Sequence, residues 1–176
     1  MKLRKANAIF SLISTILLLY HAISLAAWML SRGSIPKAPS FVPRLLTVLF
    51  VIHAIISIIL LISANKGRKK QCGKHYPELN ASMAVQRISG ILLIIFTWLH
   101  IAGTIGIMTP PQVIHAIVPP VFFFLVMVHI AVSASKAFIT LGIGDAKFVK
   151  CADVVIKIVC VTTLIADVIG FYLYVC

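Results

Sequence analysis

The chain has 176 residues, of which 61% are apolar and only 11% are charged, and its mean hydropathy is +1.08. A water-soluble domain carries about 25% charged residues, so this chain has too few charges to cover a globular surface in water. The net charge of +12 comes from 16 Lys and Arg against four acids. These charges flank long apolar segments, which is typical of membrane topology and not of a nucleic-acid-binding surface. The composition predicts an integral membrane protein with no nucleic-acid partner.

Five apolar segments are long enough to cross a bilayer. A spanning helix needs about 20 mostly apolar residues, because about 30 Å of hydrocarbon is crossed at about 1.5 Å per residue. In chain order the segments cover residues 6–30, 45–65, 84–108, 113–141 and 154–175. The sequence therefore predicts an all-α membrane protein, one domain over residues 1–176 with five transmembrane helices.

Proline pairs and the N-terminus define the ends of these segments. Pro110-Pro111 ends the third helix, because proline removes an amide donor and clashes with the preceding turn. Pro119-Pro120 is expected in the first turn of the fourth helix or at a kink in it. The first segment follows Met1-Lys-Leu-Arg-Lys but exceeds a signal-peptide core, and no clear small-residue cleavage pattern follows, so we expect a span.

Lys and Arg are distributed unequally between the two sides of the membrane. Thirteen lie on the side of the N-terminus and three on the other side. The inner set is Lys2, Arg4, Lys5, Lys66, Arg68, Lys69, Lys70, Lys74, Arg87, Lys136, Lys147, Lys150 and Lys157, and the outer set is Arg32, Lys37 and Arg44. The positive-inside rule then predicts a multi-pass protein of the inner (cytoplasmic) cell membrane with its N-terminus inside and its C-terminus outside.

Four histidines occur one in each of the first four predicted helices, namely His21, His53, His100 and His129. An imidazole in hydrocarbon needs partners that lipid does not supply. Packing explains any single one of them, but four at one per helix favour a shared ligand. His75 and His115 lie near loops or helix ends and receive no ligand role.

The depths of the four histidines favour two flat ligands. Counted from the inner helix ends, His21 and His100 lie roughly 6–9 Å deeper than His53 and His129. Helices one and three are diagonal in a four-helix bundle, as are helices two and four. Two diagonal pairs at two depths match two stacked discs, and paired neutral imidazoles are common axial ligands of b-type haem. A tetrahedral zinc site matches less well. The first four helices are therefore predicted to form a haem-binding four-helix bundle.

The third helix carries polar and small residues before its histidine. Eleven residues turn an α-helix by about 1100°, so Ser89 shares a face with His100, and Gln86 lies about 40° to the other side of that face. Gly90 lets a flat macrocycle or a neighbouring backbone approach closely, with packing through small residues as the alternative. Arg87 and Lys136 are candidate partners of a haem propionate, or else anchors to lipid phosphates.

These features together resemble a known family. The run Gln86-Arg87-Ile-Ser89-Gly90 followed by His100, with five spans and histidines on the first four, is similar to the di-haem cytochrome b membrane anchor of succinate dehydrogenase and fumarate reductase. His53-Ala54 with Asn65, and His129 with Lys136, also resemble that family, and the likeness covers most of the chain. The resemblance implies two haem b, with iron held by His21 and His100 farther from the catalytic subunits and by His53 and His129 nearer to them.

The resemblance also implies a function and partners. It implies electron transfer between a membrane quinone of the menaquinone type and a cytoplasmic flavoprotein and iron–sulfur subunit, with no succinate or fumarate catalysis by this chain alone. The basic inner loops, Lys66–Lys74 and Lys147–Lys157, are expected to face those partners or anionic lipids. Met127 stands where some family members carry a glutamate for transmembrane proton movement, so we do not expect that route here.

Asp167 is the one acid well inside a predicted span. A membrane-embedded carboxylate is by default a functional candidate, so we expect it to handle protons or to bind quinone near the farther haem. The alternative is a protonated or paired packing residue. Two other functions stay open for the whole chain: a di-haem anchor of another quinone-linked dehydrogenase, and a haem-free transporter or scaffold. Trp98 and the Phe122-Phe123-Phe124 run are expected to pack or contact lipid, and Cys72-Gly-Lys-His75 is not expected to bind metal.

Overall fold

Five long helices make up the protein. A computed structural model describes the backbone of residues 2–68, 77–104 and 112–175, and the side chains of residues 2–63, 81–103 and 117–174. In chain order the helices are α1 (Lys2–Leu30), α2 (Phe41–Arg68), α3 (Pro77–Thr104), α4 (Gln112–Leu141) and α5 (Ala146–Val175). No strand occurs within the described backbone. The predicted all-α architecture with five membrane-length helices is confirmed.

The helices extend beyond the apolar segments that predicted them. α5 begins at Ala146 instead of residue 154, because Asp145 caps it. The Asp145 Oδ1 accepts a hydrogen bond of 2.8 Å from the Phe148 N–H, and the Asp145 carbonyl accepts one of 3.0 Å from the Val149 N–H. An N-cap of this kind satisfies backbone donors that the first helical turn leaves free. Hydropathy detects the lipid-spanning part of a helix and misses such polar extensions. The Pro110-Pro111 break and the predicted end of the third span lie outside the described residues.

Pro119 and Pro120 lie inside α4, well after its first residue, Gln112. Their expected place in the first turn is therefore wrong. The segment before them is itself apolar and continues the helix. Membrane helices tolerate internal proline because neighbouring groups satisfy the backbone carbonyls that proline leaves without donors.

α1 and α4 lie at the centre of the molecule and contact each other. α5 packs against both of them, α2 packs against α1, and α3 packs against α4. Small residues permit the close approach of α1 and α5: a Cβ on Gly170 would lie 3.2 Å from the Met29 Cβ and 3.5 Å from the Ala26 carbonyl oxygen. Such small-residue contacts are common between membrane helices, where dispersion contacts drive association.

Large apolar side chains cover the outside of all five helices. Ile16 is 68% exposed and Trp98 is 59% exposed, so Trp98 is placed for lipid contact. Each helix contains a window long and apolar enough to cross a membrane. In water, this surface would expose large contiguous apolar patches to solvent. It therefore requires lipid as its solvent. The chain is a multi-pass membrane protein.

The two ends of the bundle differ in charge. We call the end where α1, α3 and α5 begin and α2 and α4 finish the basic end; its described cations are Lys2, Arg4, Lys5, Arg87, Lys136, Lys147, Lys150 and Lys157. At the opposite end, the Lys37 ammonium lies 3.6 Å from the centroid of the Trp28 ring, and the Trp28 and Tyr174 ring centroids are 4.6 Å apart. Aromatic residues of this kind are typical of the membrane–water interface.

Candidate functional site

A cavity of about 490 Å³ lies between α1, α2, α3 and α4, toward the basic end. Its volume falls in the range of small-molecule sites. Most of its surface is apolar, and its polar lining comes from all four helices: Arg4, Asn7, Ser11, His53, Ser57, Gln86, Arg87, His129, Ser133, Lys136 and Thr140. No acidic residue is among the described lining residues. The cavity therefore combines apolar walls with cations and favours an apolar ligand that carries negative charge.

Two of the predicted histidines meet in this cavity. His53 lines it from α2 and His129 lines it from α4. The His53 Nδ1 is buried and has no hydrogen-bond partner among the described residues. Its Nε2 lies 3.5 Å from the Ser57 Oγ, which donates a hydrogen bond of 3.2 Å to the Asn7 Oδ1. The His53 ring therefore keeps a nitrogen for which the described residues supply no hydrogen-bond partner.

Ser89 and Gly90 lie beside His129 and not beside His100. The Ser89 Oγ is 3.0 Å from the His129 Nδ1, and a Cβ on Gly90 would lie 3.3 Å from the His129 Cε1. The sequence placed Ser89 on the face of His100 but did not identify His129 as its neighbour. Ser89 and His100 do share a helical face, but eleven residues separate them by about 16 Å along the helix axis. The space at Gly90 accommodates the His129 ring.

Lys136 and Gln86 join α3 to α4 at the cavity. The Lys136 Nζ donates a hydrogen bond of 2.9 Å to the Gln86 Oε1 and one of 3.5 Å to the Ser82 carbonyl oxygen. Arg4 and Arg87 line the same cavity. The Lys136 side chain thus contacts protein groups, which favours a role at the cavity over the alternative of a lipid anchor.

The other two predicted histidines are His21 on α1 and His100 on α3. The His100 ring stacks on Phe122 with centroids 5.1 Å apart and planes at 23°. The His21 Nδ1 is buried without a hydrogen-bond partner in the described part of the chain. Neither histidine lines the 490 Å³ cavity. From the sequence, Phe122 was expected only to pack or to contact lipid, and its stacking on the His100 ring was not predicted.

Among the described residues, His53 and His129 are the histidines that line the cavity. No group of three or more His, Cys, Asp and Glu side chains comes together among the described residues. Cys151 and Cys160 are free, and the side chains of His75, His115, Asn65 and Cys72 lie outside the described residues. Paired imidazoles on two helices are suited to bind opposite faces of a planar metal complex.

Asp167 is completely buried in α5. Its exposed fraction is 0%, and neither carboxylate oxygen has a hydrogen-bond partner among the described residues. It does not line the cavity that contains His53 and His129. A buried carboxyl group with no partner among the described residues is costly, which makes Asp167 a functional candidate.

Six polar residues of the cavity lining were not identified from the sequence as site residues, namely Arg4, Asn7, Ser11, Ser57, Ser133 and Thr140. Ser57 follows His53 by four positions and shares its helical face, so helical periodicity signals it. Arg4 and Asn7 lie at the start of α1 and carry no motif. Only the packing of α1 against α2 places them at the cavity. No protein-family model, curated protein or solved structure matches this chain.

Proposed function

We propose that the chain is a membrane anchor and electron-transfer subunit that holds two b-type haems. It would pass electrons between a membrane quinone and a cytoplasmic flavoprotein and iron–sulfur succinate dehydrogenase or fumarate reductase. One observation carries the proposal: two imidazoles from different helices line one cavity whose walls are apolar and whose cations have no acidic counterpart among its described lining residues.

The cavity residues fit a haem. Haem is a flat, mostly apolar ring with two carboxylates, and its iron takes a ligand on each face. His53 and His129 supply the two imidazoles, while Phe50, Leu93 and other apolar residues supply the walls. Arg4, Arg87 and Lys136 provide cations for the two propionates. The buried His53 Nδ1 has no hydrogen-bond partner among the described residues.

The second pair supports a second haem. His21 and His100 would be its axial ligands, and Phe122 would hold the His100 ring by stacking. Haem supplies one-electron transfer when bound, and the protein controls it through ligands, burial and nearby charge. Because the four histidines lie on four helices, the packing of these helices sets the distance between the two proposed haem sites.

The proposed orientation places the basic end in the cytoplasm of the cell, at its inner membrane. The positive-inside rule carries this orientation, with the N-terminus inside and the C-terminus outside. Lys147 and Lys150 are exposed near the start of α5 and are available to acidic groups of the partner subunits or to anionic lipid. The His53–His129 haem would then be the nearer one to the catalytic partners.

Asp167 is proposed to serve quinone chemistry at the other haem. Reduction of a quinone to a quinol consumes two electrons and two protons, so a quinone site needs groups that exchange protons. Asp167 is the one acid among the described residues that is fully buried in a membrane helix. A quinone of the menaquinone type is the expected substrate, because the family that the chain resembles reacts with membrane quinones.

Haem content and spectra of the purified chain test this proposal. We expect a reduced b-type α-band and two haems per chain. Changing His53 or His129 to Ala should remove one haem, and changing His21 or His100 to Ala should remove the other. His115→Ala serves as the matched control, since the sequence assigns it no ligand role. A folded, haem-free wild type would contradict the proposal and favour the transporter or scaffold alternative.

Copurification tests the partners separately. Coexpression with succinate dehydrogenase or fumarate reductase flavoprotein and iron–sulfur subunits from the same source should yield a stable complex with succinate:quinone activity. A di-haem chain that binds neither would instead be the anchor of another quinone-linked dehydrogenase.

A further inference from the structure

Ser89 is a buried contact between α3 and α4. The residue is 4% exposed, and its hydroxyl oxygen lies 3.0 Å from the His129 Nδ1 and 3.3 Å from the Gln86 carbonyl oxygen. Gly90 beside it leaves space for the same imidazole. Ser89 thus contacts the ring of one proposed iron ligand from a different helix.

The partners of this hydroxyl determine the direction of its hydrogen bonds. A serine hydroxyl has one proton to donate and two lone pairs to accept with. The Gln86 carbonyl only accepts, so the Ser89 O–H donates to it. When the His129 Nδ1 carries the ring proton, it donates to the Ser89 Oγ, and the His129 Nε2 then presents a lone pair.

The surroundings of the described histidine rings differ in this respect. The His21 Nδ1 is buried with no hydrogen-bond partner in the described parts of the chain, and the His53 ring has a longer contact of 3.5 Å from its Nε2 to the Ser57 Oγ. His129 has Ser89, whose oxygen is polarised by its own donation to Gln86. A hydrogen bond from the outer nitrogen of a ligating histidine fixes its tautomer and increases its basicity toward the metal.

We infer that Ser89 is a positioning residue that holds His129 with its Nε2 free for iron and lowers the redox potential of the His53–His129 haem alone. This inference rests on the proposed function. A more basic imidazole donates more electron density, which stabilises ferric iron over ferrous iron and so lowers the potential. Loss of the Ser89 acceptor should therefore raise the potential of that haem.

Redox titration of the purified full chain, with its haems bound, tests the inference. The midpoint potential that is missing from the titration of His53→Ala is the one that belongs to the His53–His129 haem. In Ser89→Ala we expect a positive shift in the midpoint potential of that haem and no shift in the other. The same haem should show altered low-spin ferric g values in electron paramagnetic resonance. Ser89→Thr retains a hydroxyl and should restore the wild-type potential.

Thr162→Ala is the control. The Thr162 hydroxyl donates a hydrogen bond of 3.0 Å to the Ile158 carbonyl oxygen on its own helix, and Thr162 is not among the residues that line the cavity. Its removal should leave both potentials unchanged, because its hydroxyl bonds the preceding turn of α5.

The outcomes separate this inference from the proposed function. Two haems in the wild type with unshifted potentials in Ser89→Ala, or with equal shifts in both haems, would overturn the inference alone. If Ser89→Ala does not retain the haem, Ser89→Thr decides: wild-type potential supports the inference, and loss of the haem there too overturns it. A wild type without haem overturns the proposed function and the inference with it.

Discussion

Lys136 and Gln86 connect the fourth helix to the third through a hydrogen bond of 2.9 Å from the Lys136 Nζ to the Gln86 Oε1. The ammonium group is therefore held at the cavity and not in the lipid interface. It is one of three cations there, and the lining residues that the structure describes include no acid to neutralise it. A fixed positive charge at this place should favour the less positive, reduced state of any redox group that the cavity binds.

Lys136→Gln should lower the redox potential of the His53–His129 haem. Removing the cation removes its destabilisation of ferric iron, and less favourable propionate binding should also reduce occupancy of this haem. Redox titration with haem quantification checks both effects. Lys150→Gln removes the same charge from an exposed position on α5 and is the control. Equal shifts in the two variants would indicate a general charge effect and argue against a specific role for Lys136.

Gly90→Val should remove the haem of the His53–His129 pair and leave the other haem in place. Even the Cβ of alanine would lie 3.3 Å from the His129 Cε1, so Gly90→Ala should displace the ring slightly, and the branched valine should displace it further. Haem content of the purified variants is the measurement. Gly103→Ala is the matched control on the same helix, because no atom of the described residues lies within 4 Å of its added Cβ. Full haem content in Gly90→Val would disprove the close packing of Gly90 against this ligand.

Phe122→Leu should weaken binding of the haem held by His21 and His100. The stacked ring fixes the orientation of His100, and aromatic pairs of this kind contribute about 0.5–1.5 kcal/mol beyond their buried area. We expect partial loss of this haem on washing with detergent, with the other haem retained. Phe124→Leu changes an exposed neighbour in the same run and should have no such effect. A loss divided equally between the two haems would mean that Phe122 stabilises only the general fold.

Asp167→Asn should slow quinol turnover of the assembled complex while both haem spectra stay unchanged. The amide preserves the size of the side chain but does not exchange a proton in the way that a carboxyl group does. Steady-state quinol oxidation coupled to the partner subunits is the measurement. Asp153→Asn, which removes an acid paired with Lys157 near the start of α5, is the control. Unchanged turnover in Asp167→Asn would leave Asp167 as a packing residue.

The thermal stability of Asp167→Leu tests whether Asp167 is a packing residue. Burial of a polar group without a hydrogen bond costs about 1–3 kcal/mol in protein mutational data, so an apolar side chain of similar size should stabilise the fold. We expect a higher Tm in detergent than for the wild type. A lower Tm would show that the carboxyl group has a stabilising partner in the folded protein.

The number and type of the helices were predictable because they depend on local properties. A run of about 20 apolar residues must satisfy its backbone polar groups internally in lipid, and a helix does so within one segment. The ends were less predictable: the Asp145 cap starts α5 well before its apolar part, and α4 continues through Pro119 and Pro120.

The candidate site was predicted in part. One histidine per helix is visible in the printed chain, and the diagonal packing expected for a bundle paired His21 with His100 and His53 with His129. The structure places His53 and His129 in the lining of one cavity, and the pairing of His21 with His100 stays a prediction. Helical periodicity placed Ser89 on the face of His100, because periodicity gives the angle of a residue around its own helix. It gives no information about which residue of a neighbouring helix that face contacts.

Hydropathy and charge along the chain by themselves determined a five-helix membrane protein with one basic end, because lipid solvation and backbone hydrogen bonding act on each segment separately. Only the tertiary structure decided that Ser89 and Gly90 contact His129, that Phe122 stacks on His100, and that Arg4 and Asn7 reach the cavity. Those contacts depend on the axial offset between packed helices. That offset is set by the fit of side chains between two helices, which neither sequence segment specifies alone.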